Sequence, residues 1–234
     1  MSGLAFRRGM TFVSFITCCA ALALLLAALS TQHWIVARAH RKTNNANLPN
    51  PSEGRIHLGL FYGRKNLNVG YGWRPSDINV IETLNNDRNF MSYGLWVATI
   101  GCVCLAILFA VFSAVFALVN TATTPVEAIT GIPGLYLWNT CALACNLGSL
   151  VTWGIQYHLK LRHNVLPIED RKNTWTSEGL AVLGYSFWFV VGAAIIHILN
   201  IVLIFLGAHQ TRRDRHKMHK PIQEEKTNGA IMLY

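Results

Sequence analysis

The sequence predicts an all-α membrane protein, a four-helix transmembrane bundle with a small extracellular β-hairpin in its first loop. Three observations predict it. Only 13% of the 234 residues are charged and 52% are hydrophobic, whereas a soluble domain carries about 25% charged residues. The charges are segregated, so that four long tracts hold no Asp, Glu, Lys or Arg. Between the first two tracts the apolar pattern changes from continuous to alternating.

The tracts place transmembrane spans over 10–31, 93–119, 135–157 and 184–207. A helix needs about 20 apolar residues to cross a bilayer, and a soluble helix needs a polar face that these tracts lack. Inside hydrocarbon each unpaired backbone group costs several kcal/mol, so the spans must be helical. The first tract follows Arg7 and Arg8 and ends in small residues, as a secretory signal does. It is longer than the 7–15 residues usual for a signal core, and is read as a retained span.

Basic residues set the expected orientation. Arg212, Arg213, Arg215, Lys217 and Lys220 follow the fourth span, and such a cluster favours the inner leaflet by about 1 kcal/mol per residue near the surface. Arg7 and Arg8 join them on the same side if the spans number four. Lys160, Arg162, Arg171 and Lys172 lie on the other. The balance puts both termini in the cytosol, in a multi-pass protein of the plasma membrane. Residues 1–9, 120–134 and 208–234 then face inward, the last as a basic tail touching inner-leaflet lipid, and 32–92 and 158–183 face outward.

The first connection, 32–92, is where folding outside the membrane is expected. After an irregular Asn/Pro-rich stretch, Ile56, Leu58, Leu60 and Tyr62 alternate with other residues, and so do Leu67, Val69, Tyr71 and Trp73. Period-two runs around Gly63-Arg64-Lys65-Asn66 read as a hairpin over 56–73. Ser76 then reads as the N-cap of a short helix over 77–90. The aromatic residues serve either packing or an extracellular partner.

All six cysteines lie within predicted spans, so no disulfide is expected in the first connection. There is no Cys-x-x-Cys, and the cysteines read as small packing residues. Asn50-Pro51-Ser52 is blocked as a glycosylation site by its proline. In the second span Gly94, Ala98, Cys102, Ala106, Ala110 and Ala114 recur every four residues. Small residues at that spacing let helices approach closely, within the bundle or in a homo-oligomer. Asn139 and Asn146 share a face of the third span, and His197 and Asn200 share one on the fourth. They are expected to meet in the interior and hold the helices together. With no charged residue in any span, a channel or transporter is the weaker reading.

No catalytic set, metal-ligand spacing or phosphate-binding loop is present in the connections or the tail, so no enzyme activity, cofactor or nucleic-acid partner is expected. Gly131-Ile132-Pro133-Gly134 has no lysine and opens into a span, so it reads as a turn.

A set of short landmarks in order resembles the clarins, tetraspan relatives of the claudin-type proteins. Trp34 follows the first span within His33-Trp34-Ile35, and Gly59-Leu60-Phe61-Tyr62-Gly63 is similar to the family's Gly-Leu-Phe-x-Gly element. Gly131 through Gly134, Trp138 and Asn139 match the start of the third span. Phe187-Trp188, then His197 and Asn200, match the fourth, and Leu233-Tyr234 the terminus. The first connection lacks the cysteines and the Asn-x-Ser/Thr site of vertebrate clarins, which points to an invertebrate or otherwise divergent member. The resemblance implies a non-enzymatic protein of sensory cells that organises plasma membrane domains and links them to cytoskeletal or junctional partners. Those contacts would run through the first extracellular loop, the C-terminal tail and membrane lipids. A claudin-like adhesion or barrier protein is the alternative. Met232-Leu233-Tyr234 also has the hydrophobic end that a PDZ-type domain can add as a strand.

Overall fold

A computed structural model describes residues 3–42, 52–68, 70, 72–123 and 129–218, with side chains described between 5 and 210. Four long helices dominate it: α1 (Gly3–Ser30), α3 (Tyr93–Ala122), α4 (Ile132–Gln156, prolonged by a π-helical turn over Tyr157–Leu161) and α6 (Tyr185–Met218). The short helices are α2 (Val80–Asn86) and α5 (Ile168–Lys172). Among the long helices α1 packs against α3 and α6, and α4 packs against the same two, closing a four-membered ring. Small and polar side chains fill the axis. Leu105, Val115, Leu137, Val151 and Phe205 point outward. An apolar exterior around a partly polar interior suits hydrocarbon rather than water as solvent.

Three helical stretches are long and apolar enough to cross a membrane: Ala5–Ser30, Tyr93–Ala122 and Tyr185–Gln210. The α4 helix is free of charge but carries Asn139, Asn146, Ser149 and Gln156 on its buried face. The fourth helix, expected to end near 207, continues to Met218, so the backbone at Arg212, Arg213, Arg215 and Lys217 is helical. Lys220, Leu233 and Tyr234 lie outside the described residues, as does the proposed PDZ-type ligand.

The expected hairpin is replaced by a six-stranded antiparallel sheet. Its strands are β1 (Ile35–Arg41), β2 (Glu53–Leu58), β3 (Tyr62–Asn68), β4 (Trp73–Asn79), β5 (Trp175–Thr176) and β6 (Ala181–Leu183). The order is β4-β3-β2-β1-β5, with β6 also paired to β1. The segment between α4 and α6 therefore completes, through β5 and β6, a sheet begun by the segment between α1 and α3. The expected reversal at Gly63-Arg64-Lys65-Asn66 falls inside β3, where Gly63 pairs with both Leu58 and Ile78. The chain turns instead at Gly59–Phe61, and again between β3 and β4. There Gly70 and Gly72 stand at φ +92° and +122°, a region open to glycine and costly for other residues. Those two glycines break the alternation that had suggested a strand through Trp73.

The helix expected over 77–90 shrinks to Val80–Asn86, because Ser76 pairs with Lys65 in β4. Asn79 caps it instead, its side-chain oxygen accepting from the backbone N–H groups of Ile81 and Glu82 at 3.2 and 3.5 Å. The inner face of the sheet, Ile35, Ala37, Ile56, Leu58, Leu67 and Ile78, is buried in the same core as the upper ends of the helices.

Candidate functional site

The junction between sheet and bundle is built from the landmarks of the first connection. The α1 helix ends at Ser30, and Trp34 folds back over its last turn. Its indole N–H donates to the Ala28 carbonyl at 2.7 Å, one of the four carbonyls that a helix end leaves without a partner. The same ring meets Trp153 of α4 edge-on at 5.1 Å. The Trp34 backbone N–H then donates to Leu58 at 3.0 Å, which starts the sheet.

The two glycines of Gly59-Leu60-Phe61-Tyr62-Gly63 have steric reasons to be glycine. A Cβ on Gly59 would sit 2.8 Å from the Gln32 Cα and from the Tyr62 carbonyl oxygen, and one on Gly63 would sit 2.6 Å from the His57 carbonyl oxygen. The turn between them is pinned from both sides. Leu60 is buried, and its carbonyl accepts from the Trp96 indole of α3 at 2.8 Å. The Phe61 carbonyl accepts from the Val80 N–H at 3.0 Å. Gly184 packs against the His33 carbonyl closely enough that a Cβ would overlap it, and its N–H donates to the Trp34 carbonyl at 3.0 Å. Thr31 and Ser186 join α1 to α6 through their hydroxyls at 2.7 Å.

Deeper in the bundle each long helix contributes to one polar cluster. Asn139 of α4 sits at its centre. Its amide nitrogen donates to the Ser113 hydroxyl of α3 at 2.6 Å and to the Leu135 carbonyl at 2.8 Å. Its amide oxygen accepts from the Asn200 amide of α6 at 3.0 Å and from His197 Nδ1 at 3.1 Å. Cys18 of α1 touches Ser113, Asn139 and Asn200 through its sulfur. Because an amide oxygen only accepts, Nδ1 of His197 carries the proton, and among the described residues Nε2 has no hydrogen-bond partner. All five side chains are fully buried. The expectation that Asn139, His197 and Asn200 meet therefore holds, while Asn146 is buried elsewhere on the axis, its amide atoms without a hydrogen-bond partner among the described residues.

The small-residue stripe of α3 divides. Ala106, Ala110 and Ala114 are buried, Cys102 and Ala98 are partly exposed, and Gly94 is exposed. At Cys102 the approach is close: a Cβ on Gly148 of α4 would lie 3.2 Å from its sulfur. Trp138 packs its ring among Phe109, Phe112 and Phe116 of α3. A Cβ at Gly134 would overlap the Ile129 carbonyl, and Gly131 stands at the N-cap of α4. Phe187 packs against the core, whereas Trp188 points out of the bundle.

Among the described residues three ion pairs join the segment between α4 and α6 to the one between α1 and α3; Lys42 with Glu178 is exposed, and the other two are more buried. Lys65 of β3 bonds Asp170 of α5, both side chains being only 13% exposed. Arg171 bonds Asp87, which is buried at the end of α2. Near the end of the sheet that meets the helices, the His57 ring lies tilted against His33 at 4.5 Å, and His33 stacks on Tyr185 at 4.6 Å. Partial burial, then the neighbouring His33 and Arg55, push the His57 imidazole below its usual range. Sequence reasoning missed Trp96, Gly184, Cys18 and these ion pairs. Each takes its role from a partner far away in the chain, for which the local sequence gives no signal.

Trp34, Gly59, Leu60 and Gly63 thus meet at one junction, and Asn139, His197 and Asn200 in one buried cluster. In comparison with known families, residues 6–204 match the family described as Clarin-2-like. The chain belongs to the clarin family. It is 24% identical to mouse (Mus musculus) clarin-3 over 233 residues, covering 96% of this chain and 98% of that clarin. With mouse clarin-2 it shares 29% over 195 residues, 79% of this chain and 81% of the relative. Human (Homo sapiens) clarin-2 is 28% identical over 210 residues. Clarin membership and the three long apolar helices together point to a tetraspan membrane protein.

Proposed function

We propose that this clarin works without catalysis, as a plasma membrane scaffold whose four helices hold an extracellular sheet on one side and a basic tail on the other. Through these it organises membrane domains and links them to cytoskeletal or junctional partners in sensory cells. The observation that carries the reading is the junction itself. Both outer connections combine into one sheet, and that sheet is bolted to the helix ends by Trp34, Gly59, Leu60 and Trp96. A sheet held so rigidly on an uncharged bundle suits the presentation of a surface.

Both termini are assigned to the cytosol, with α4 as the third span despite its polar face, since that face is buried against the other helices. The basic residues beyond Gln210 then lie against the anionic inner leaflet. Proximity labelling from the tail, in cells that express the chain, should enrich cytoskeletal or junctional proteins. A tail-side set indistinguishable from that of an unrelated membrane protein would contradict the proposal. A claudin-like adhesive role is favoured by one feature, the exposed Tyr62 and Trp73 on the sheet. Clustering of otherwise non-adherent cells on expression would mark that role, since a scaffold acting within one membrane does not require it.

A further inference from the structure

The outer face of the sheet carries a charge arrangement that the fold itself does not satisfy. Arg38 of β1 stands directly opposite Arg55 of β2, and both are exposed. Directly paired residues in an antiparallel sheet have Cβ atoms about 4.5–5.5 Å apart, and like charges there are destabilising. Among the described residues neither arginine forms an ion pair. The ion pairs near this face are Arg64 with Asp77 at 3.8 Å and Lys42 with Glu178 at 3.9 Å. Arg55 instead lies over the ring of Trp73, 5.9 Å from its centroid, and Trp73 is itself about half exposed.

Two acidic groups share this face, Asp77 paired with Arg64 and exposed Glu53 two residues before Arg55 on β2, but basic residues outnumber them in the surrounding segments. The first outer connection holds eight Lys and Arg against four Asp and Glu, and the second holds four against three. An exposed positive face attracts polyanions over distances set by ionic strength. The planar fork of arginine suits tetrahedral oxyanions, to which it donates two parallel hydrogen bonds. The exposed ring of Trp73 beside the pair offers an apolar plate for a sugar ring. Peptide addition at the free edge is poorly served, because Pro75 in β4 supplies no N–H.

We propose that this face binds a sulfated polysaccharide, with one sulfate held between Arg38 and Arg55 and a sugar ring stacked on Trp73. The proposal names a partner class for the sheet and rests on the sheet lying outside the cell.

The test uses the full chain in nanodiscs of neutral lipid, with heparin as the probe. The background form carries Gln at Arg212, Arg213, Arg215, Lys217 and Lys220, so that the tail cluster does not take the probe. In that background Arg38→Gln with Arg55→Gln should weaken heparin binding about tenfold or more, as loss of a charge-assisted contact implies. The pair Arg162→Gln with Lys172→Gln removes as much charge elsewhere and should change it about twofold or less. Trp73→Ala should weaken binding severalfold, and desulfated heparin should not bind. Removing two facing like charges relieves repulsion, so the Arg38/Arg55 variant should melt no lower than its parent. Equal loss in both charge-removal pairs, no loss in the first, or equal binding of desulfated heparin or polyglutamate would overturn the proposal. Nanodiscs expose both sides, so a wrong orientation leaves this result intact and is detected separately by surface labelling of cells.

Discussion

The indole nitrogen of Trp96, near the start of α3, donates to the carbonyl of Leu60 at 2.8 Å, in the turn that joins β2 to β3. Both residues are buried, so this one hydrogen bond ties the sheet to the bundle where no water can replace it. Trp96→Phe keeps the ring and leaves the Leu60 carbonyl unpaired, which should cost about 1–3 kcal/mol. The expected outcome is a lower melting temperature in detergent and faster proteolysis within 52–79, with α1 and α6 protected.

Glycine at two landmark positions is a steric requirement. Gly59→Ala and Gly63→Ala each drive a Cβ into backbone, at 2.8 and 2.6 Å respectively, so each should reduce the yield of folded protein strongly. Gly101→Ala meets nothing within 4 Å and should leave the yield unchanged or raise stability by up to about 1 kcal/mol. Comparing the three by size exclusion in detergent checks the contrast.

Asn139 gathers hydrogen bonds from α3, α4 and α6. Individual bonds between membrane helices contribute about 0.6–2 kcal/mol, so Asn139→Leu, which strands the partners of both its amide atoms, should cost more than any one of them. Ser113→Ala removes one partner and should cost less. Asn200→Ala should fall between them. Thermal unfolding of the three variants in one detergent gives the order.

Acid should loosen the sheet. Burial, with His33 and Arg55 nearby, holds the His57 imidazole below the 6.5 of an unperturbed histidine. The unfolded chain therefore binds the proton first, and stability that is present above that value is lost as pH falls through the folded value. His57→Gln should flatten the dependence of the melting temperature between about pH 7 and 5. An unchanged slope would show that His57 does not contribute to it.

Much of this architecture is legible in the sequence because hydrocarbon leaves few choices. Long uncharged runs fix the helices, and Asn139, His197 and Asn200 announce themselves as polar residues among apolar ones. The sheet was harder to read. Strand period is visible at Ile56–Leu58, but the pattern puts the reversal at Gly63, a glycine that the sheet requires for close pairing with Leu58 and Ile78. The true reversal after β3 depends on backbone angles at Gly70 and Gly72. β5 and β6, of two and three residues, are too short to show a period. They exist because β1 offers them an edge. Ile35, Ala37 and Ala39 did alternate with Val36, Arg38 and His40, and β1 was readable on that signal.

In the proposed arrangement the bundle presents the sheet outside the cell and keeps both termini inside. None of the six cysteines lies in a connection or in the tail, so a single introduced thiol reports its own side. Tyr62→Cys places one on the exposed face of the sheet, where Tyr62 is 58% exposed; Tyr234→Cys places one at the tail. With a membrane-impermeant maleimide on intact cells, Tyr62→Cys should be labelled and Tyr234→Cys labelled only after permeabilisation. The reverse pattern, or labelling of both on intact cells, would contradict the account.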